Sequence, residues 1–247
     1  MAGFLYNALQ DIDLWFNATS NRKNETIFVQ ISDEEDGASS SDTFRSEVRK
    51  QIGAHSRWVI GNQVLPLSQL RGKVQVLRRY NDTSFGIDVT QWDNNVTPNF
   101  TKTNADGVKY TIQDHWAIST SAGWAGVRDY KMRDMSATFN LSTASTDSSQ
   151  IFLNFSSCAP TSPRMSPEMI AVGGDLMPTF EGVNETLRAY IRGLHPLAQR
   201  LGVVLMDYPE DPEEDLVQSI IQTNAFTQAV NTGVGKKGGK RISYPFA

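Results

Sequence analysis

One cysteine, Cys158, stands in the whole chain, so no disulfide forms within it. No apolar run approaches the roughly 20 residues that a helix needs to span a bilayer. Neither sign of charge dominates. The net charge is −4, which gives no electrostatic case for nucleic acid or for an acidic membrane surface. No G-x-G-x-x-G follows a strand-like run and no G-x-x-x-x-G-K-[ST] occurs, which argues against Rossmann and P-loop nucleotide sites. GVGKKGGKR lacks that spacing and a following helix, and reads as tail. There are three histidines, His55, His115 and His195, and no pair of them has metal-ligand spacing. The first residues, MAGFLYNALQDIDLWF, have no basic segment and no long apolar core, so they are not a signal peptide.

Asparagine, by contrast, is patterned. N-x-S/T begins at Asn17, Asn24, Asn81, Asn95, Asn99, Asn140, Asn154 and Asn184, eight of the fifteen asparagines. Ordinary serine and threonine abundance would give roughly two. The excess predicts a secreted glycoprotein with glycans on surface loops. Asn154 lies in an apolar strand-like run and Thr97 precedes a proline, so not all eight need be used. Sequons without a leader peptide lead to the expectation that either the protein is not secreted or residue 1 is not the start of the natural protein.

A chain of 247 residues with 39% hydrophobic content suits one large domain or two small ones. Phe4, Leu5, Leu9, Ile12 and Phe16 fall near helical spacing. A strand is predicted over Glu25 to Ile31, a helix over Thr43 to Gly53, and a strand over Lys73 to Tyr80. A long polar segment runs from Asn81 to Asp106. YTIQDHWAI, Tyr110 to Ile118, reads as a strand, followed by a helix around Gly126 to Asn140. A strand is predicted over Gln150 to Ser157, a Pro/Ser loop after it, and a helix over Asn184 to Leu201, interrupted at Pro196. Gly202 to Pro209 is the last strand and Asp215 to Asn224 the last helix. The Gly/Lys-rich segment 226–247 is expected to be disordered, leaving residues 1–225 as the folded domain. Strands that alternate with helices and read apolar on both faces imply a parallel α/β sheet or barrel.

Polar residues gather at the C-terminal ends of these strands: Ser32, Asp33 and Glu34; Arg78 and Arg79; Asp114; Ser156 and Ser157; Asp207. In a β/α barrel that end carries the active site. The acidic run Asp33 to Asp36 reads as an exposed loop rather than a metal site. Asp114 beside His115 suggests a catalytic dyad. Strand alternation, however, sends the two side chains to opposite faces and puts Asp114 with Trp116 instead.

The order ETIFVQISDEE, LRGKVQVLRRY, a Trp-containing loop, IQDHW, FLNFSS, then GVVLMDYP with LVQSIIQTN resembles the X domain of phosphatidylinositol-specific phospholipase C. The likeness is to its secreted bacterial and fungal branch, and it covers about Phe4 to Asn224. It implies a partial TIM-type (β/α) barrel of the PLC-like phosphodiesterase fold, lacking its first strands. It implies cleavage of an inositol phosphodiester, with the inositol 2-hydroxyl attacking phosphorus and two histidines serving as general base and acid.

Carried over by position, Arg79 and Asp114 match residues that contact inositol hydroxyls. Trp92 matches an active-site loop tryptophan, with Asp93 or Asn94 standing for the polar residue that follows it. Trp116 takes the place of an aromatic that stacks on the ring. Asp207 matches an aspartate that helps to set the base histidine. Ser32 falls where bacterial members have a substrate-binding lysine, a departure in head-group recognition.

The two catalytic histidines, the aspartate after the first, and the phosphate-contacting arginine have no match. They belong to strands before the helix that opens this chain. His55, His115 and His195 lie outside the family's catalytic motif and read as structural or surface residues. The resemblance therefore implies a truncated, inactive form, or alternatively a non-catalytic secreted glycoprotein that keeps an inositol or sugar pocket. A glycerophosphodiester-type enzyme on the same barrel would need paired acidic metal ligands, mostly from the missing part. No cofactor or metal is expected; calcium enters only by analogy with eukaryotic signalling members. The implied partner is phosphatidylinositol or a glycosylated inositol lipid head group, with transient contact to a membrane surface through Trp92 and Phe100 and none with nucleic acid.

Overall fold

The structure, a computed structural model, describes residues 2–33, 41–53, 55–83, 85–119, 121, 123–159, 165–174, 177–194, 199–211 and 215–224. The chain opens with α1 (Ala2–Ala18), a 3-10 turn (Ser20–Asn24), β1 (Thr26–Ser32), α2 (Asp42–Gly53), β2 (Trp58–Val59), α3 (Leu67–Leu70), β3 (Lys73–Arg79) and β4 (Ile87–Asp88). It continues with β5 (Phe100–Thr103), β6 (Lys109–Gln113), α4 (Gly123–Ala144), β7 (Ile151–Phe155), α5 (Pro167–Val172), β8 (Gly173–Gly174) and β9 (Met177–Glu181). It ends with α6 (Val183–Arg192), β10 (Val203–Leu205) and α7 (Asp215–Gln222).

Two sheets carry the fold. In the first, β3 pairs in parallel with β1 along its whole length, and β2 and β4 share its other edge. In the second the order is β10-β7-β6-β5, parallel except for β5, which runs antiparallel to β6. The sheets face one interior. Leu77 and Ile87 of the first pack with Phe100, Tyr110, Ile112, Ile151 and Leu153 of the second. Among the described residues no strand pairing joins the two sheets or closes β10 onto β1. The arrangement is thus an α/β fold with parallel sheet, not closed into a full barrel.

β3, β6 and β7 bury two faces, as parallel strands under helices must. On β1, Ile27, Val29 and Ile31 meet Leu9 and Phe16 of α1 and Val48 and Ile52 of α2, while Phe28 turns to the interior. Burying a side chain such as Phe16, which has no exposed surface, contributes about 2 kcal/mol. The outer layer over β6 and β7 is α4 with α5 and α6, built on Val127, Met135, Phe139, Ile170, Leu187 and Ile191. Gly202 enters β10 at φ 79°, and a Cβ there would lie 2.6 Å from Cβ of Phe152. Glycine is required at that approach.

The elements depart from sequence expectation at definable points. The strand expected over Tyr110 to Ile118 ends at Gln113. The helix expected over Asn184 to Leu201 ends at Arg192, capped by Gly193. The polar segment Asn81 to Asp106 contains β4 and β5. β5 reads FTKT and has little apolar character; its strand state comes from pairing with β6, including a 2.8 Å bond between the Thr101 and Thr111 hydroxyls. The Pro/Ser loop contains α5, started by the Ser166 hydroxyl, which accepts from the Met169 amide, and by Pro167 in the first turn. Segment 226–247, His195 and Glu34 to Asp36 lie outside the described residues. Asp33, expected on an exposed acidic loop, is only 5% exposed, because it follows β1 directly as the chain leaves the core.

Candidate functional site

Strand phase decides which polar ends share a surface. On β3, Val74 and Val76 face the α1–α2 side and Leu77 faces the interior. Arg79, two residues after Leu77, therefore turns inward. The register sets Ser32 directly beside it. Arg78 turns outward and is consumed there: it forms a 2.9 Å ion pair with Asp88 and donates to the Tyr80 carbonyl. On the second sheet, Tyr110 and Ile112 face inward, as do Val203 and Leu205. Asp114 and Asp207 continue those two rows past the strand ends.

Trp92 joins the two sheets. Its loop, between β4 and β5, lays the ring against Phe100 and Phe155. The guanidinium carbon of Arg79 sits 4.9 Å from the ring centroid, a cation–π contact. The indole N–H donates to Oδ2 of Asp114 at 2.6 Å. Arg79, Trp92 and Asp114 thus form one contiguous group. The Oδ1 atom of Asp114 makes no hydrogen bond among the described residues. Burial pushes the Asp114 carboxyl up from its ordinary range, against the opposing pull of the Trp92 N–H, Arg79 and Lys131.

Trp116 stands nearer the solvent, 40% exposed. Its indole N–H donates to Asn94 Oδ1 at 2.9 Å, and the neighbouring Asn95 accepts from the Ala117 amide. The loop after Trp92 is therefore pinned to the segment after Asp114. Asn95 has φ 57°, a left-handed conformation that asparagine tolerates. Asp93 is turned away onto Lys102, at 2.8 Å.

His115 and Asp114 are neighbours with separate partners. The His115 ring Nδ1 lies 2.6 Å from Oδ2 of Asp134 on α4. Asp134 has no exposed surface and also accepts from Thr97 and Arg133. Asp114–His115 is not a dyad. His55 Nδ1 lies 3.3 Å from Asp13 beside α1. That pair lines a cleft of about 510 Å³ with Arg57, Arg71 and Lys73. The cleft opens at the start of β3, the opposite end from Arg79. Its Arg57 is already held by Asp13, Asn17 and the Gly72 carbonyl.

The residue that sequence reading missed is Lys131. It projects from α4, has no exposed surface, and donates from Nζ to the His115 carbonyl at 2.8 Å. Asp114, Asp134, Asp207 and Cys158 act on its charge, and burial pulls its ammonium down to about 8. The signal was available: Lys131 falls midway between Val127 and Met135 at i±4, on the buried stripe of α4. Asp207 is pushed up by burial, with Lys131 opposing. No group of three or more histidine, cysteine or acidic side chains suited to a metal occurs among the described residues.

No protein-family model matches the sequence, and no curated protein matches it. Solved structures do. A Staphylococcus aureus phosphatidylinositol-specific phospholipase C, from work on modulating its membrane binding, superposes with a TM-score of 0.64 at 19% identity, over 87% of this chain and 69% of that one. A form of the staphylococcal enzyme with pentafluoro-phenylalanine incorporated gives 0.61 at 19% identity, over 83% and 67%. A further mutant gives 0.63 at 19%, over 86% and 69%. At this identity the likeness shows the fold alone: the chain is an α/β fold with parallel sheet that resembles the fold of the staphylococcal enzyme, its sheets not closed into a full barrel among the described residues.

Proposed function

We propose that the chain recognises an inositol phosphate head group of the kind carried by phosphatidylinositol or a glycosylated inositol lipid, and does not cleave it by itself. The observation that carries this reading is the Arg79–Trp92–Asp114 group on the interior face at the strand ends. A guanidinium offers paired donors to vicinal hydroxyls or a phosphate oxygen. The open Oδ1 of Asp114 accepts from a sugar hydroxyl. The half-exposed ring of Trp116 offers a face for the apolar side of a cyclohexane polyol. Asp207, on the adjoining row, holds a supporting place. The fold shared with the staphylococcal phospholipases supports the choice of ligand class.

Turnover needs a base and an acid placed about the phosphorus. His115 is committed to Asp134, and His55 lies with Asp13 at the far end of β3. Neither is positioned to move a proton at the Arg79–Asp114 group. Secretion belongs to the same proposal: of the eight sequon asparagines, Asn17, Asn24, Asn81 and Asn140 are exposed.

The test is titration of the protein with D-myo-inositol and with monomeric dihexanoyl-phosphatidylinositol by calorimetry, with phosphorus NMR on the lipid. Saturable binding that disappears in Arg79→Met and in Asp114→Asn, with no cyclic inositol phosphate formed, is the expected result. Binding that survives both substitutions would place the ligand elsewhere. Release of cyclic phosphate would overturn the non-catalytic half of the reading.

A further inference from the structure

A lysine is seldom buried completely unless its charge is used. Lys131 is wholly buried, and its ammonium donates to the His115 carbonyl at 2.8 Å. That bond holds the chain immediately after Asp114, where β6 has ended; two residues on, the Ala159 amide donates to the Trp116 carbonyl. The acidic groups acting on it come from four elements. They are Asp114 after β6, Asp134 on α4 itself, Cys158 after β7 and Asp207 after β10. Asp134 is already engaged by His115, Thr97 and Arg133. Asp114 has Trp92 and the nearby Arg79, whereas among the described residues Lys131 is the cation that acts on Asp207.

We infer that Lys131 is a positioning residue of the head-group site, holding Asp114 and Asp207 as anions and fixing the segment between Asp114 and Trp116 from behind without touching the ligand. The inference rests on the head-group reading for its ligand, and on the burial of Lys131, its bond to the His115 carbonyl and its charge beside the two carboxylates for its mechanism. Burial disfavours both carboxylates, and Lys131 opposes that tendency in each. Without the ammonium, Asp114 would keep its proton to a higher pH. Its Oδ2 would then compete poorly for the Trp92 N–H, and Oδ1 would accept poorly from a hydroxyl. The arrangement works only while Lys131 itself is charged. Since burial draws its ammonium down to about 8, head-group binding should fade on the alkaline side from there.

The experiment follows the indole Nε1–H resonance of Trp92 in nitrogen-15 spectra, because that proton lies on Asp114. Wild type, Lys131→Met and Lys131→Arg are titrated from pH 3 to pH 10, with and without D-myo-inositol. In Lys131→Met the acid-side midpoint should move up by roughly one unit, equivalent to a tenfold change in the ionisation constant. Between the wild-type and mutant midpoints, where Asp114 is ionised in wild type and largely protonated in Lys131→Met, inositol affinity should fall by up to a similar factor, and Lys131→Arg should restore both. An unmoved midpoint in a folded Lys131→Met protein overturns the inference. If Lys131→Met does not fold, wild type decides: a second inflection of the Trp92 resonance near pH 8 supports the role, and a flat response there refutes it. Should wild type bind no inositol at any pH, the head-group reading fails, while the Trp92 titration still judges Lys131.

Discussion

The Trp92 indole N–H donates to Oδ2 of Asp114 across 2.6 Å, joining a loop after the first sheet to the end of a strand in the second. No strand pairing links the two sheets among the described residues, so this bond and the shared apolar interior hold their upper ends together. Trp92→Phe keeps the ring and deletes the donor. It leaves a buried carboxylate short of one partner, which costs about 1–3 kcal/mol. Urea denaturation should show a lower midpoint with an unchanged slope. An unaltered midpoint would mean that the bond contributes nothing net.

Lys131 gives the protein a distinctive alkaline response. Its ordinary value is 10.5, and in the folded chain it stands at about 8. Between these values the unfolded chain holds a proton that the folded chain has lost, so stability rises with pH across that window. Below about pH 8 the full cost of the buried ammonium is present. From pH 8 to 10 the gain should be about 2 kcal/mol. Cys158, whose thiol is raised by burial from 9.0 against the pull of Lys131, acts in the opposite direction in both proteins, and more strongly in Lys131→Met, where that pull is gone. Tyr80 and Tyr110 are pushed up by burial from 10.0 to about 12 and lower stability only above pH 10. Chemical denaturation at pH 8, 9 and 10 should therefore show a rising difference between wild type and Lys131→Met. Parallel curves would refute it.

Asp134 is a structural hub with a fixed set of partners: His115, Thr97 and Arg133. Asp134→Ala strands the half-buried His115 ring and should cost about 3–5 kcal/mol, as for a broken buried pair. His115→Gln removes one partner only, and should cost less and leave inositol affinity within about twofold, a shift of a few tenths of a kcal/mol. Thermal melts and the same calorimetric titration measure both. Loss of binding in a stable His115→Gln protein would return His115 to the site.

Two of the sequons are closed to modification in the folded chain. Asn184 has no exposed surface, and its Nδ2 donates at 3.0 Å to the carbonyls of Asp207, Tyr208 and Asp211. Asn154 is equally buried, with Nδ2 on the Met135 carbonyl. Expressed through a eukaryotic secretory route, the protein should carry glycans at some of Asn17, Asn24, Asn81 and Asn140 and at neither buried position. Peptide mapping after glycosidase treatment in oxygen-18 water reads this directly. Asn184→Ala should destabilise by about 2 kcal/mol, because the two N–H groups shared among three carbonyls are lost at once.

The sequence alone determined which segments are strands and helices wherever an apolar row was long enough to be read: β1, β3, β7, α1, α2 and α7. It also determined that Arg79, Asp114 and Asp207 stand at strand ends, because alternation and strand order are local properties. Tertiary structure decided the rest. β5 is a strand because β6 lies beside it, and β6 stops at Gln113 because no neighbour continues its ladder. Arg78 and Arg79 look equivalent in RRY, yet one is spent on Asp88 outside and the other meets Trp92 inside. Lys131 reads as a surface lysine on a polar helix until the packing of α4 over β6 and β7 buries it. The reason is common to all three. Periodicity records which face a residue occupies, whereas a charge takes its role from what lies across that face, and here that is chain tens of residues away.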